Sequence, residues 1–135
     1  MTHWAAAYIG TPWSATGEGP ESYHCWAFVR HVQAVRFGRT LPAIPNPEDL
    51  LAQARVFRAH PERARWRRVE RPEEGDCVLL RRARYPVHVG VWIAIDGGGV
   101  LHCSQDSGVV FQRPPALGLN GWIIEGVYRF AGGDA

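Results

Sequence analysis

Residues 87–103 have the sequence VHVGVWIAIDGGGVLHC, two apolar runs joined by a glycine-rich connection. The runs are rich in β-branched residues and predict two strands, Val87–Ile95 and Val100–Cys103. Glycine adopts the backbone conformations of tight turns at little cost, and a short connection favours antiparallel pairing. We therefore expect a hairpin here.

The two histidines of this hairpin can meet only if the strands pair in the right register. A five-residue connection from Ala94 to Gly98 places His102 opposite Gly90. That register puts His102 and His88 on the same face of the sheet, as diagonal neighbours. Cys103 should then point to the opposite face, and we predict no role for it.

The rest of the chain predicts helices before the hairpin and more strands around it. Further strands are predicted at Cys77–Arg81, Val109–Gln112 and Ile123–Phe130. Helices are predicted at Thr2–Tyr8, at His24–Phe37 and from Asn46 to near His60. Helices first and strands later favour an α+β fold over an alternating α/β fold. Because no internal repeat or linker divides the sequence, residues 1–135 are predicted to form a single domain.

The composition is that of a compact globular protein. The chain has 135 residues, of which 46% are hydrophobic and 21% charged, and this excludes a disordered or fibrous protein. No apolar run approaches the ~20 residues of a transmembrane helix, and no signal-peptide pattern opens the sequence. We expect synthesis in the cytoplasm without a signal peptide, and free thiols at the three cysteines.

Positive charge is concentrated in one segment. Ten of the fifteen basic residues, all of them arginine, lie between Arg55 and Arg84, together with five acidic residues. That segment has a net charge of +5 and the rest of the chain −3. The arginines could meet an anionic polymer, but a solvated loop or helix face is the simpler interpretation, and no nucleic-acid-binding motif is present. A nucleic-acid partner is therefore not expected.

Cys25 is a candidate nucleophile. It begins the predicted helix, for which Ser22 is a plausible cap, and lies on the same helical stripe as Phe28, Val29 and Val32. A thiol at a helix start is close to unpaired N–H groups and the positive end of the dipole, which favours the thiolate. The alternative is a buried structural cysteine.

Three residues together predict nucleophilic catalysis. His88 could take the proton from Cys25, and His102 could hold the other ring nitrogen of His88 and fix its tautomer. The same three side chains are also legitimate zinc ligands, but the compact ligand spacings of a structural zinc site are missing. We predict no metal and no organic cofactor.

The order of short motifs along the chain resembles that of the NlpC-type peptidases, the cell-wall-hydrolysing branch of the papain-like fold. These motifs are Gly10-Thr11-Pro12-Trp13, Cys25-Trp26 at a helix start, Gly75-Asp76, His88-Val89-Gly90-Val91-Trp92 and Leu101-His102. The resemblance covers roughly Tyr8 to Val127. The short form with Cys-Trp is most similar to the cell-wall peptidases encoded among phage tail genes.

The resemblance implies a papain-like fold with N-terminal helices packed on a C-terminal antiparallel sheet, and a catalytic triad of Cys25, His88 and His102. The implied reaction is hydrolysis of an amide bond in peptidoglycan stem peptides, typically next to a D-glutamyl or diamino-acid residue. The implied partners are that peptide substrate and other phage tail proteins.

The predicted substrate-binding residues are Trp13, His24 and Trp26. The family usually has aspartate where His24 stands and often tyrosine where Trp13 stands, so these departures bear on the identity of the substrate. His24 could tune the thiolate, but an exposed histidine is the simpler interpretation, and we expect His24 to be exposed. A catalytically inactive tail or adaptor protein that keeps the fold is the alternative function.

Overall fold

The computed structural model describes residues 3–44, 61–82 and 85–132. Within these ranges the fold is α+β, with N-terminal helical segments followed by one antiparallel sheet of six strands. The strands are β1 (Trp66–Val69), β2 (Cys77–Arg82), β3 (Tyr85–Ile93), β4 (Gly99–Ser104), β5 (Gly108–Gln112) and β6 (Ile123–Phe130). Their order in the sheet is β1-β6-β2-β3-β4-β5.

Helix α1 spans Cys25–Phe37 and ends at Gly38, which has the left-handed conformation of a glycine cap. The predicted apolar stripe is confirmed, because Phe28, Val29 and Val32 are fully buried. The helix packs against β3 and β4. The predicted cap was wrong: His24, and not Ser22, caps the helix.

The register of β3 and β4 is the one that the hairpin sequence predicted. Val91 pairs with Leu101 and Ile93 with Gly99, so the connection has five residues. Continuing this register places Gly90 beside His102. A Cβ atom on Gly90 would lie 2.9 Å from the Cβ of His102, so only glycine allows the two strands to approach this closely.

Two apolar clusters lie on the two faces of the sheet. The cluster on the α1 side includes Cys25, Tyr23, Phe28, Cys77, Val89, Val91, Leu101 and Cys103. The cluster on the other side includes Val78, Leu80, Val100, Leu117, Trp122 and Val127. Neighbouring residues of β4 therefore alternate between the clusters, as the side chains of a strand do.

Asp76 anchors the start of β2. Its buried carboxylate accepts hydrogen bonds from Nε and Nη2 of Arg129 on β6, at 3.0 and 2.8 Å, and from the backbone N–H of Glu73 at 2.7 Å. The Gly75-Asp76 motif thus has a structural role in this fold, because Asp76 links the start of β2 to β6.

Several elements differ from those predicted. The N-terminal helix predicted at Thr2–Tyr8 is a single 3-10 turn, Trp4–Ala7, capped by His3. A 3-10 turn at Pro61–Arg65 and strand β1 occupy part of the basic segment, and a short helix α2 spans Pro114–Leu119.

The helix predicted from Asn46 to near His60 lies outside the described residues. Of the helices that the structure describes, none is long and apolar enough to cross a membrane.

Candidate active site

Two imidazoles and an amide form a chain of hydrogen bonds across three neighbouring strands. Nε2 of His88 on β3 lies 2.7 Å from Nδ1 of His102 on β4. Nε2 of His102 lies 2.8 Å from Oε1 of Gln112 on β5. Both rings are buried, with exposures of 5% and 0%. Nδ1 of His88 remains free of any hydrogen-bond partner among the described residues, and it is not sealed from solvent.

Gln112 was not among the predicted site residues. It pairs with Val100, while His102 pairs with Val110, so Gln112 and His102 are diagonal neighbours on one face of the sheet. The alternation of side chains along the paired strands β4 and β5 could have identified it, because residues 100, 102, 110 and 112 lie on the same face of the sheet.

Aromatic stacking orients the His88 ring. The indole of Trp122 lies parallel to it, with ring centroids 4.6 Å apart and planes inclined by 21°. The guanidinium of Arg82 covers the Trp122 ring, 3.8 Å from a ring centroid, and donates to the carboxylate of Asp106 and the carbonyl of Asn120. A layered stack therefore holds His88 from the side opposite α1.

The surroundings keep both imidazoles neutral. Burial, followed by the nearby His102 and Arg82, places the pKa of His88 well below its usual value. Burial lowers the pKa of His102 to about 4, and the hydrogen bond to Gln112 opposes this shift while Arg82 adds to it. A neutral imidazole has one nitrogen with a free lone pair, which is the requirement for a general base.

The Cys25 thiol lies in the cluster on the α1 side of the sheet, against β3. Pairing of the two strands ends at Val91, and the next free N–H of β3, that of Val89, faces the sulfur. The sulfur belongs to the cluster on the α1 side, whereas His88, which pairs with Leu80, belongs to the other face. The described side chains of Cys25 and His88 form no hydrogen bond with each other. The structure therefore brings His88 and His102 together, whereas the thiol of Cys25 contacts the backbone of Val89, the residue after His88.

The expected low pKa of Cys25 was wrong. The side chain is 9% exposed, and burial raises the pKa of Cys25 to about 11, although the N–H groups of Val89, Trp26 and Cys25 act in the opposite direction. The loss of hydration therefore raises the pKa of Cys25 by more than the N–H groups at the helix start lower it. The raised pKa favours the neutral thiol over a thiolate in the resting protein.

Alkylation of Cys25 by iodoacetamide tests this protonation state. Because only the thiolate reacts, and a pKa of about 11 leaves about one molecule in 10⁴ ionised at pH 7, the rate should rise about tenfold per pH unit between pH 7 and pH 9. Peptide mapping by mass spectrometry would follow Cys25 separately from the other cysteines. A rate that stays constant from pH 6 to pH 8 would instead indicate a preformed ion pair.

His24 is not exposed as expected but 4% accessible. Its Nδ1 accepts the N–H of Ala27 at 3.3 Å, and its Nε2 lies 2.7 Å from Oε2 of Glu18. Because both ring nitrogens have partners within the protein, the observed role of His24 is to cap α1, and substrate binding by this ring stays a prediction.

Replacement of His24 tests the capping role. His24→Ala should lower the free energy of unfolding, and His24→Asn, whose side-chain oxygen can accept the same N–H, should be more stable than the alanine variant by about 1 kcal/mol. Urea unfolding followed by circular dichroism measures both. Equal stability of the two variants would show that the cap contributes nothing.

The other two predicted substrate-binding residues lie around the start of α1. Trp13 is paired with Tyr23 by an isolated parallel bridge, which places it beside the segment leading to Cys25. The indole N–H of Trp26 donates to the carbonyl of Pro42 at 2.8 Å, so this ring holds the segment after α1. Substrate binding by Trp13 and Trp26 stays a prediction.

The three cysteines are free thiols, and Cys103 points away from the histidines, as predicted. Its thiol donates to the carbonyl of Tyr23 at 3.2 Å. Within the described ranges no group of three or more His, Cys, Asp or Glu side chains is arranged to hold a metal ion. The geometry therefore gives no support to the alternative of zinc at Cys25, His88 and His102.

Comparison with known proteins identifies the family and the fold. The family model described as NlpC/P60 family matches residues 10–120. The chain belongs to the NlpC/P60 family. Among solved structures, the NlpC/p60 domain of the peptidoglycan hydrolase SagA is similar, with a TM-score of 0.55 and 20% sequence identity over 92% of this chain and 90% of that chain. This likeness confirms the NlpC/P60 fold. No match was found among curated proteins.

Proposed function

We propose that this NlpC/P60 protein is a cysteine peptidase or amidase that hydrolyses amide bonds in peptidoglycan stem peptides. Family membership supports a cell-wall peptidase, and the SagA domain of the same fold belongs to a peptidoglycan hydrolase. The observation that carries the proposal is the hydrogen-bonded chain from Gln112 to His88, which leaves Nδ1 of His88 free where the Cys25 thiol reaches the same strand.

In the proposed reaction the Cys25 thiol turns from the N–H of Val89 to Nδ1 of His88. The sulfur attacks the carbonyl carbon of the substrate while its proton passes to His88. The N–H groups of Cys25 and Trp26, at the first turn of α1, have no carbonyl acceptor among the described residues and can donate to the oxyanion.

The tetrahedral intermediate then collapses. The C–N bond breaks, the leaving amine takes the proton from His88, and a thioester of Cys25 remains. A water molecule attacks the thioester with His88 as base, which releases the carboxylic acid and restores the thiol. No cofactor enters this sequence, and each proton taken by His88 is returned.

Digestion of purified sacculi with the wild-type protein tests the proposal. Mass analysis of the soluble products should show stem-peptide fragments that end in the carboxyl or amino group created by amide hydrolysis, while the glycan bonds stay intact. Products cut only in the glycan would contradict the proposal.

A second candidate function is an inactive adaptor that keeps the fold. The absence of a hydrogen bond between Cys25 and His88 in the described structure favours it. A folded protein that sediments with sacculi but releases nothing between pH 5 and pH 9 would establish this alternative.

A finer proposal concerns where the protein acts. The short form of the motif at Cys25-Trp26, which resembles that of phage-tail peptidases, supports incorporation in a phage tail or a related particle. Mass spectrometry of purified tail particles should then detect peptides of this chain. Particles that contain the other tail proteins but not this one would contradict the proposal.

A further inference from the structure

Gln112 lies at one end of the hydrogen-bonded chain and His88 at the other. His102 and His88 therefore stand between Gln112 and the Cys25 thiol. Its Oε1 faces Nε2 of His102, a ring that is fully buried and has its other nitrogen against His88. The stack of Trp122 and Arg82 covers the His88 ring, so neither imidazole can turn over without disrupting the packing of this face. The protonation of each nitrogen in this chain is therefore decided by its partner.

The amide oxygen determines the positions of the protons on both rings. An amide oxygen only accepts, so Nε2 of His102 must be the protonated nitrogen. A neutral imidazole has one proton, which leaves Nδ1 of His102 as an acceptor. That acceptor lies 2.7 Å from Nε2 of His88, which must therefore donate. Nδ1 of His88 is then left with a lone pair.

The opposite arrangement would disable the base. If the Gln112 amide presented its NH₂ group, Nε2 of His102 would accept, Nδ1 of His102 would donate to His88, and the proton of His88 would move to Nδ1. That nitrogen could no longer take a proton from the thiol. Two arrangements of the histidine pair are thus chemically possible, and the amide orientation selects one of them.

We propose that Gln112 is a positioning residue that fixes the tautomers of His102 and His88 so that Nδ1 of His88 is the free base. The catalytic consequence rests on the proposed function, whereas the tautomers are a property of the folded protein. Gln112 acts through His102, since it lies on β5 with β4 between it and β3.

Nitrogen-15 NMR of the histidine side chains tests the tautomers without any substrate. In the wild type, both His88 and His102 should show a protonated Nε2 and an unprotonated Nδ1. Gln112→Glu keeps an acceptor and should keep both tautomers, whereas Gln112→Leu should give a mixture of tautomers at His102. A proton on Nδ1 of either ring in the wild type, or unchanged tautomers in Gln112→Leu, would overturn the proposal.

Hydrolysis of a soluble stem peptide supplies the second measurement. Gln112→Leu should lower kcat at least about tenfold with KM little changed, because the side chain does not reach the thiol or the substrate. Gln112→Glu should restore kcat to within about threefold of wild type. Gln105→Leu is the matched control, since Gln105 is an exposed glutamine between β4 and β5.

The two measurements separate the two proposals. Wild-type tautomers as expected, together with no hydrolysis by any variant, would contradict the proposed function and leave the role of Gln112 intact. Full activity of Gln112→Leu would contradict the role of Gln112 and leave the proposed function intact.

Discussion

Replacement of Cys25 by alanine is expected to abolish the release of peptides from sacculi and to reduce kcat/KM by at least about 10³-fold. The Cys25 thiol, which lies close to the backbone N–H of Val89 on β3, is the group that can form a covalent bond with a substrate carbonyl. Without it, His88 would have to activate water directly, with no thioester to divide the reaction into two easier steps. Release of peptides is measured by mass spectrometry over equal times and protein concentrations.

Cys77→Ala is the matched control for this experiment. Cys77 is buried in the same cluster as Cys25. Its replacement by alanine therefore also removes one thiol sulfur from that cluster. It should retain hydrolysis within a few-fold of wild type. Equal release by Cys25→Ala and wild type would exclude Cys25 as the nucleophile, and equal loss in both variants would point to packing of the cluster rather than to chemistry.

The placement of the two histidines could be predicted from the sequence because it depends on local rules. The alternation of residues in β3 and β4 determines which side chains share a face, and the glycine-rich turn determines the length of the connection. These two facts place His102 beside Gly90 without any knowledge of the rest of the fold. The start of α1 is local in the same way, and the prediction was one residue from the observed Cys25.

Other features depend on contacts outside the β3–β4 hairpin, and the sequence analysis did not predict them. The buried position of His24 depends on Glu18 and on the loop before α1. The raised pKa of Cys25 depends on burial in the cluster on the α1 side of the sheet, which outweighs the helix-start effect that a local argument detects. Gln112 was missed because its role requires the pairing of β4 with β5.

The neutral histidine pair should make the fold sensitive to acid. Burial lowers the pKa of His102 to about 4 and that of His88 well below its usual value, whereas both should titrate near 6.5 in the unfolded chain. As the pH falls through 6.5, the unfolded state therefore binds protons that the folded state does not, and the free energy of unfolding decreases. Between pH 7 and pH 5 the expected decrease from His102 is about 2 kcal/mol, and the lowered pKa of His88 adds to it in the same direction.

Urea unfolding of wild type and His102→Gln at pH 7, 6 and 5 measures this effect. The variant lacks the His102 ring, so its decrease in the free energy of unfolding over the same interval should be smaller than that of the wild type. A wild-type stability that is independent of pH, or the same decrease in both proteins, would show that the rings are not held neutral by the fold. If the prediction holds, His88 stays neutral until the fold itself is destabilised, and loss of hydrolysis at low pH should follow unfolding rather than titration of the base.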